Sequence, residues 1–226
     1  AILKVPVSDI SAETKEKIIT APLGNSYGLN QGEPVIAIGS PMGYSDSIAY
    51  GVVTSTTNSV SKVDAEYGIL TTDIVGSGDG SGILVNLKGE VVGVIAQSFA
   101  KADTKNIITG LSISQTKDLI ENLSNNKDIV YMGVTGQTIT SEISEKKGIP
   151  KGVFVEGVEI DSPAMQADIR NADVIVEVNK EKVETVKGYQ QQLKSCKAGS
   201  VIEVKAMRQG TEGYVEVTFE VTLGAL

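Results

Sequence analysis

The sequence predicts a mainly β chain in two parts: a barrel or sandwich, then a small α+β domain. Three observations carry this. Residues 1–110 hold short β-branched and apolar runs separated by glycine turns. Residues 129–226 alternate strand and helix patterns. Between them, Ser124-Asn125-Asn126-Lys127-Asp128 is polar and turn-like, which marks a boundary. The expected domains are 1–124, a β region with a trailing helix, and 129–226.

The elements follow in chain order. Ala1-Ile2-Leu3-Lys4-Val5 reads as a strand, and Pro34 to Gly39 as a buried strand closed by glycine. Tyr50 to Thr57 is rich in β-branched residues. Ile83-Leu84-Val85 and Val91 to Ala96 flank a turn at Asn86 to Glu90. From Ser114 to Leu123 the period changes. Ile113, Leu119, Ile120 and Leu123 space like one helical face, with Ser112 or Ser114 as the cap. In the second part, Gly152 to Val155 and Val174 to Val178 read as strands. Ser162 to Ala167 reads as a short helix with Pro163 in its first turn, and Tyr189 to Lys194 as another helix. Val201 to Met207 and Tyr214 to Val221 form a closing hairpin.

Composition narrows the function classes. The chain has 226 residues and 41% hydrophobic content, enough for two ordinary cores. Aromatics are 4% and Trp is absent, so Val, Ile and Leu must build those cores. A net charge of −8 repels phosphate backbones and anionic lipid heads, so neither nucleic acid nor a membrane surface is an expected partner. One cysteine, Cys196, excludes an internal disulfide, and reads as a packed small hydrophobe. With one Cys and no His, no metal site and no cofactor are expected. No apolar run approaches the ~20 residues that span a bilayer, and no secretory signal is present. A chain that opens inside a strand reads as trimmed, and a preceding segment would be the place for a signal or anchor.

Taken in order, several segments resemble the HtrA/Deg serine proteases. Val35 to Gly43, then Gly51-Val52-Val53-Thr54, is similar to the start of that family's second barrel. Thr72-Asp73, Gly78 to Asn86 and Gly89 to Val94 are similar to the strands around its nucleophile loop. Tyr131-Met132-Gly133-Val134, Ser162-Pro163-Ala164 and Asp173-Val174-Ile175 stand where the parts of a PDZ domain would lie. The resemblance covers nearly the whole chain. It implies a trypsin-like β-barrel half followed by a PDZ domain, an extracytoplasmic place in a bacterial cell envelope, and a role in protein quality control.

It also implies a Ser-His-Asp mechanism, and here the chain departs from the family. A triad needs His to take the serine proton and Asp to orient the His. The chain has no His, and the family's Asp would fall just upstream of residue 1. The family loop Gly-Asn-Ser-Gly-Gly-Pro-Leu-Val-Asn compares with Gly78-Asp79-Gly80-Ser81-Gly82-Ile83-Leu84-Val85-Asn86. In gapless register, anchored by Leu84-Val85-Asn86, Gly80 stands at the nucleophile position. A shorter downstream segment would instead place Ser81 there. Gly78, Asp79 and Gly80 would form the oxyanion loop; Asp79 reads equally as an ordinary turn residue. Ser77, Ser81 and Asp73 make no catalytic set without a usable base.

For the PDZ part, the resemblance implies capture of peptide or protein C-termini and of unfolded polypeptide. Tyr131, Met132, Gly133 and Val134 would supply a backbone nest for a terminal carboxylate. Tyr189 and Leu193 share a helical face; they line the groove or belong to the core. Where the family carries glycines, this chain has Asp168 and Ala172. The expected function is a non-catalytic, peptide-binding form of an HtrA-type serine endopeptidase. The alternatives are an active full-length protease with Ser81 as nucleophile, and a pure scaffold. A homo-oligomer is open for the full-length protein.

Overall fold

The computed structural model describes residues 2–226 and divides into two compact units. One comprises residues 2–60 and 67–125; the other comprises 61–66 and 126–226. Residues 61–66 lie inside the stretch that the sequence assigns to the barrel, yet their contacts put them with the second unit.

The first unit is a closed barrel. Its strands are β1 (Pro34–Ser40), β2 (Ser47–Lys62), β3 (Ala65–Val75), β4 (Ser81–Val85), β5 (Val91–Ile95) and β6 (Ile107–Ser112). They close in the order β1-β2-β3-β6-β5-β4. Alternate residues face inward, and Val35, Ala37, Val53, Leu70, Leu84 and Ile108 fill the interior. The β4–β5 turn forms because the Asn86 side chain accepts the Lys88 and Glu90 amides, each at 3.0 Å, while Gly89 takes φ +79°. The expected strand at residues 2–5 is absent. Leu3 and Val5 are 92% and 64% exposed, and no ladder partner lies beside them among the described residues. The helix α1 (Ala12–Lys17) follows, and the chain meets the barrel at Pro22–Gly24, which exchanges backbone hydrogen bonds with Val91.

The trailing helix is α2 (Ile113–Ser124). Ser112 stands at its N-cap position, but its hydroxyl pairs with Ser26 Oγ at 2.6 Å instead. Ser26 Oγ itself accepts the Ser114 amide at 3.0 Å, so a residue distant in sequence satisfies this helix end.

The second unit is a sheet with helices on it. Its elements are β7 (Val130–Tyr131), β8 (Val134–Thr138), α3 (Ser141–Lys147), β9 (Val153–Val158), α4 (Pro163–Gln166), β10 (Val174–Val178), β11 (Glu181–Lys182), α5 (Val186–Ser195), β12 (Val201–Gly210), β13 (Gly213–Thr222) and β14 (Gly224–Ala225). The sheet runs β13-β12-β10-β9-β8, with β11 beside β10; β14 pairs with β7. Ser162 caps α4 through Met165 N at 3.2 Å, and Thr185 caps α5 through Gly188 N at 3.0 Å. Asp168 and Ala172 take φ +66° and +72°, so the backbone at both positions stays left-handed without glycine.

Candidate functional sites

The glycine loop between β3 and β4 is pinned from several sides. Gly76 N donates to Asn106 O at 2.7 Å, and Ser77 N to Pro41 O at 2.8 Å. The buried Gln97 clamps the neighbouring strand end: its Nε2 donates to Ser77 O, Lys105 O and Ile107 O, and its Oε1 accepts Thr109 N. Gln97 carried no signal in the sequence, because its partners are all backbone atoms brought together by folding.

Within the loop the amides turn on themselves. Asp79 N donates to Ser77 Oγ at 3.2 Å and Gly80 N to Ser77 O at 2.9 Å. Both amides thus find their acceptors within the loop itself. Gly80 is buried, and a Cβ on it would lie 2.8 Å from Pro41 O and 2.9 Å from Ser77 O. Position 80 therefore directs any side chain at backbone, whereas Ser81, opposite Ser40 in the β1–β4 ladder, is exposed. Gly78 has ordinary room, its nearest neighbour being Lys105 O at 3.8 Å. Asp73, on β3, accepts the Val52 amide at 2.7 Å and so serves the barrel ladder. The chain holds no imidazole that could take a proton from Ser81.

The second site is a backbone nest between β7 and β8. Gly133 has φ +94°, which turns three successive amides to one side. Met132 N and Gly133 N each donate to Asp64 Oδ2 at 2.7 Å, and Val134 N donates to Asp64 Oδ1 at 3.0 Å. Tyr189 Oη donates to Asp64 Oδ1 at 2.5 Å. Asp64 N in turn donates to Val134 O at 2.7 Å. Asp64 lies in the two-residue turn between β2 and β3, with φ +55°, and belongs to the same compact unit as the nest. Beside it, Glu66 N donates to Gln190 Oε1 at 3.4 Å.

Tyr189 and Leu193 are 1% and 3% exposed and sit in the core, between α5 and the sheet. Only the Tyr189 hydroxyl reaches the nest. Burial, then the Asp64 carboxylate, push its pKa well above the ordinary phenol value, so it stays a neutral donor. Met132 and Val134 are buried with their side chains in the same core, so their contribution to the site is backbone. Asp64 is the site residue that the sequence did not reveal. An Asp between two β-branched strands reads as an ordinary turn residue.

A six-stranded closed barrel with a glycine loop, followed by a sheet domain with a carboxylate nest on its edge strand, defines a trypsin-like peptidase barrel joined to a PDZ domain. The family models agree: a trypsin-like peptidase domain matches residues 1–94 and a PDZ domain matches residues 130–219. A probable periplasmic serine endoprotease, DegP-like, from Halomonas elongata is 27% identical over 224 residues, 96% of this chain and 45% of the relative. Its counterpart from Pseudomonas savastanoi pv. phaseolicola is 30% identical over 227 residues, again 96% and 45%. The chain thus spans less than half the length of these two relatives. Among solved structures, the HtrA-type protease AlgW with a decapeptide matches with TM-score 0.63 at 21% identity, over 91% of this chain and 64% of that one. The serine endoprotease from Yersinia pestis matches with TM-score 0.56 at 23% identity, over 91% and 66%. The chain is thus similar, over nearly its whole length, to trypsin-like serine proteases of the HtrA type that carry a PDZ domain.

Proposed function

We propose that this chain is the peptide-recognising part of an HtrA-type endopeptidase of extracytoplasmic protein quality control, and that it does not itself cleave peptides. The observation that carries the reading is the convergence of the Met132, Gly133 and Val134 amides on one carboxylate. A peptide's C-terminal carboxylate has the same two oxygens and the same charge. β8 is an edge strand, paired with β9 on one side only, so an extended peptide can add to it. The packed α5 lies beside β8 and supplies the other wall. Among the described residues, no helix is long and apolar enough to cross a membrane. The extracytoplasmic setting rests on the relatives, whose names place them in the periplasm.

The non-catalytic part of the reading rests on the missing imidazole and on the loop amides of Asp79 and Gly80 that donate to Ser77. A second reading keeps a catalytic role in a longer protein, with Ser81 as nucleophile. Its support is that Ser81 is the exposed hydroxyl of the loop.

Two results are expected from the purified chain. Unfolded casein should be turned over no faster than in the blank; cleavage blocked by a serine-directed inhibitor overturns the non-catalytic reading. A short peptide ending in a free-acid Val should bind at least about tenfold more tightly than its amide, since the nest reads a charge that the amide lacks. Equal affinities would remove the C-terminal reading.

A further inference from the structure

The nest in this chain already holds a carboxylate. Asp64 makes there the contacts that an incoming C-terminus would need: three backbone amides and the Tyr189 hydroxyl on its two oxygens, and its own N–H on Val134 O. The last of these is the β-addition hydrogen bond, which an added strand would make with the edge of β8. Asp64 is 9% exposed, so the internal ligand also shields the nest from water.

Two backbone features set this arrangement. The two-residue turn between β2 and β3 puts Asp64 at φ +55°, a conformation that Asp adopts more readily than most residues. The neighbouring Glu66 amide is held by Gln190 Oε1 on α5, which steadies the turn against the groove wall.

We infer that Asp64 is a built-in competitor for the PDZ carboxylate site, so that a peptide C-terminus binds only by expelling the β2–β3 turn from the nest. This rests on the C-terminal reading above and adds its regulation. One set of donor amides and one edge carbonyl cannot serve two ligands at once. The fraction of molecules with an empty nest therefore multiplies the intrinsic affinity, and wild-type protein binds peptides more weakly than its nest allows. Because the competitor is tethered, its effective concentration is in the millimolar range whatever the protein concentration.

The test uses the full chain, a fluorescein-labelled hexapeptide ending in Val, and its C-terminal amide. Asp64→Gly removes the carboxylate and suits the positive φ; Asp64→Asn keeps shape and backbone preference without the charge. Both should bind the acid peptide at least about tenfold more tightly than wild type, and the acid should stay the tighter ligand than its amide in each. Equal affinity of wild type and both variants overturns the inference and leaves the C-terminal reading standing. No binding of the acid peptide by any of the three proteins overturns both. A further readout does not depend on either variant folding. In wild-type protein, saturating acid peptide should move the Asp64 backbone amide resonance together with those of Met132, Gly133 and Val134. An Asp64 resonance that stays in place while the nest amides move shows that the peptide enters without displacing it, and overturns the inference.

Discussion

Asp173→Ala is expected to destabilise the PDZ unit by about 3 kcal/mol, the low end of the cost of breaking a buried ion pair, because Arg208 retains some solvent. Asp173 is 1% exposed. Its Oδ1 accepts Arg208 Nε at 2.8 Å, and its Oδ2 accepts Arg208 Nη2 and the Arg170 amide, each at 2.8 Å. Arg208 is held further by Asp168 O at 2.8 Å and lies over the Phe219 ring at 5.3 Å. Alanine leaves the guanidinium with only the more distant, exposed Asp168 carboxylate at 3.6 Å, and the Arg170 amide without an acceptor. The loss has a second part. Asp168 and Ala172 hold left-handed φ angles that glycine would take without strain, and the Asp168–Arg208–Asp173 bridge spans that segment. Hydrogen exchange at β9, β10 and β12 reports the PDZ unit separately from the barrel. Protection there should fall by roughly two orders of magnitude, which is that free energy converted. A fall of less than threefold would show that the bridge contributes little. Asp173→Asn keeps the acceptor oxygens in part and should lose about half as much.

The sequence and the fold agree where local chemistry decides the outcome. The Asn86–Glu90 turn and the Ser162 cap with Pro163 behind it both rest on contacts within a few residues. Agreement ends where the partner is distant. Residues 2–5 have the composition of a strand but join no ladder among the described residues. Ser112 has the side chain of an N-cap, yet Ser26, 86 residues away, takes its hydroxyl. Tyr189 and Leu193 could be read as groove or as core; packing puts both in the core and leaves only the phenol oxygen at the site. Asp64 is the plainest case, since 68 residues separate it from the Met132 amide that it accepts. No spacing or periodicity connects such a pair. The glycine loop between β3 and β4 sits between these extremes. The sequence locates the loop and its two possible nucleophile positions. That Gly80 faces Pro41 O while Ser81 faces outward depends on how β1 and β4 meet.

Gly133→Ala is expected to do more harm than any other glycine substitution around the nest, and the contrast with Gly148→Ala shows why. Both glycines have positive φ, +94° at Gly133 and +66° at Gly148, so alanine at either site pays about 1–2 kcal/mol for a left-handed backbone. At Gly148, the C-cap of α3, a Cβ would meet nothing within 4 Å, and the cost stops there. At Gly133 the new Cβ would lie 2.3 Å from Ser162 Cβ and 2.7 Å from its Oγ. Ser162 cannot swing aside, because it is buried and its hydroxyl caps α4 through Met165 N. Overpacking of this kind adds roughly 1–3 kcal/mol, and the backbone can relieve it only by rotating the peptide planes of the nest. Gly133→Ala should therefore lose about 3 kcal/mol in PDZ stability and should no longer prefer an acid-terminated peptide to its amide. Gly148→Ala should lose about 1 kcal/mol and keep that preference. Chemical denaturation followed at the resonances of β9 and β10, with peptide titration of both variants, separates the two effects. Retained acid preference in a folded Gly133→Ala protein would mean that the Met132–Val134 amides tolerate a side chain between them, and the nest would not be the element that reads the carboxylate.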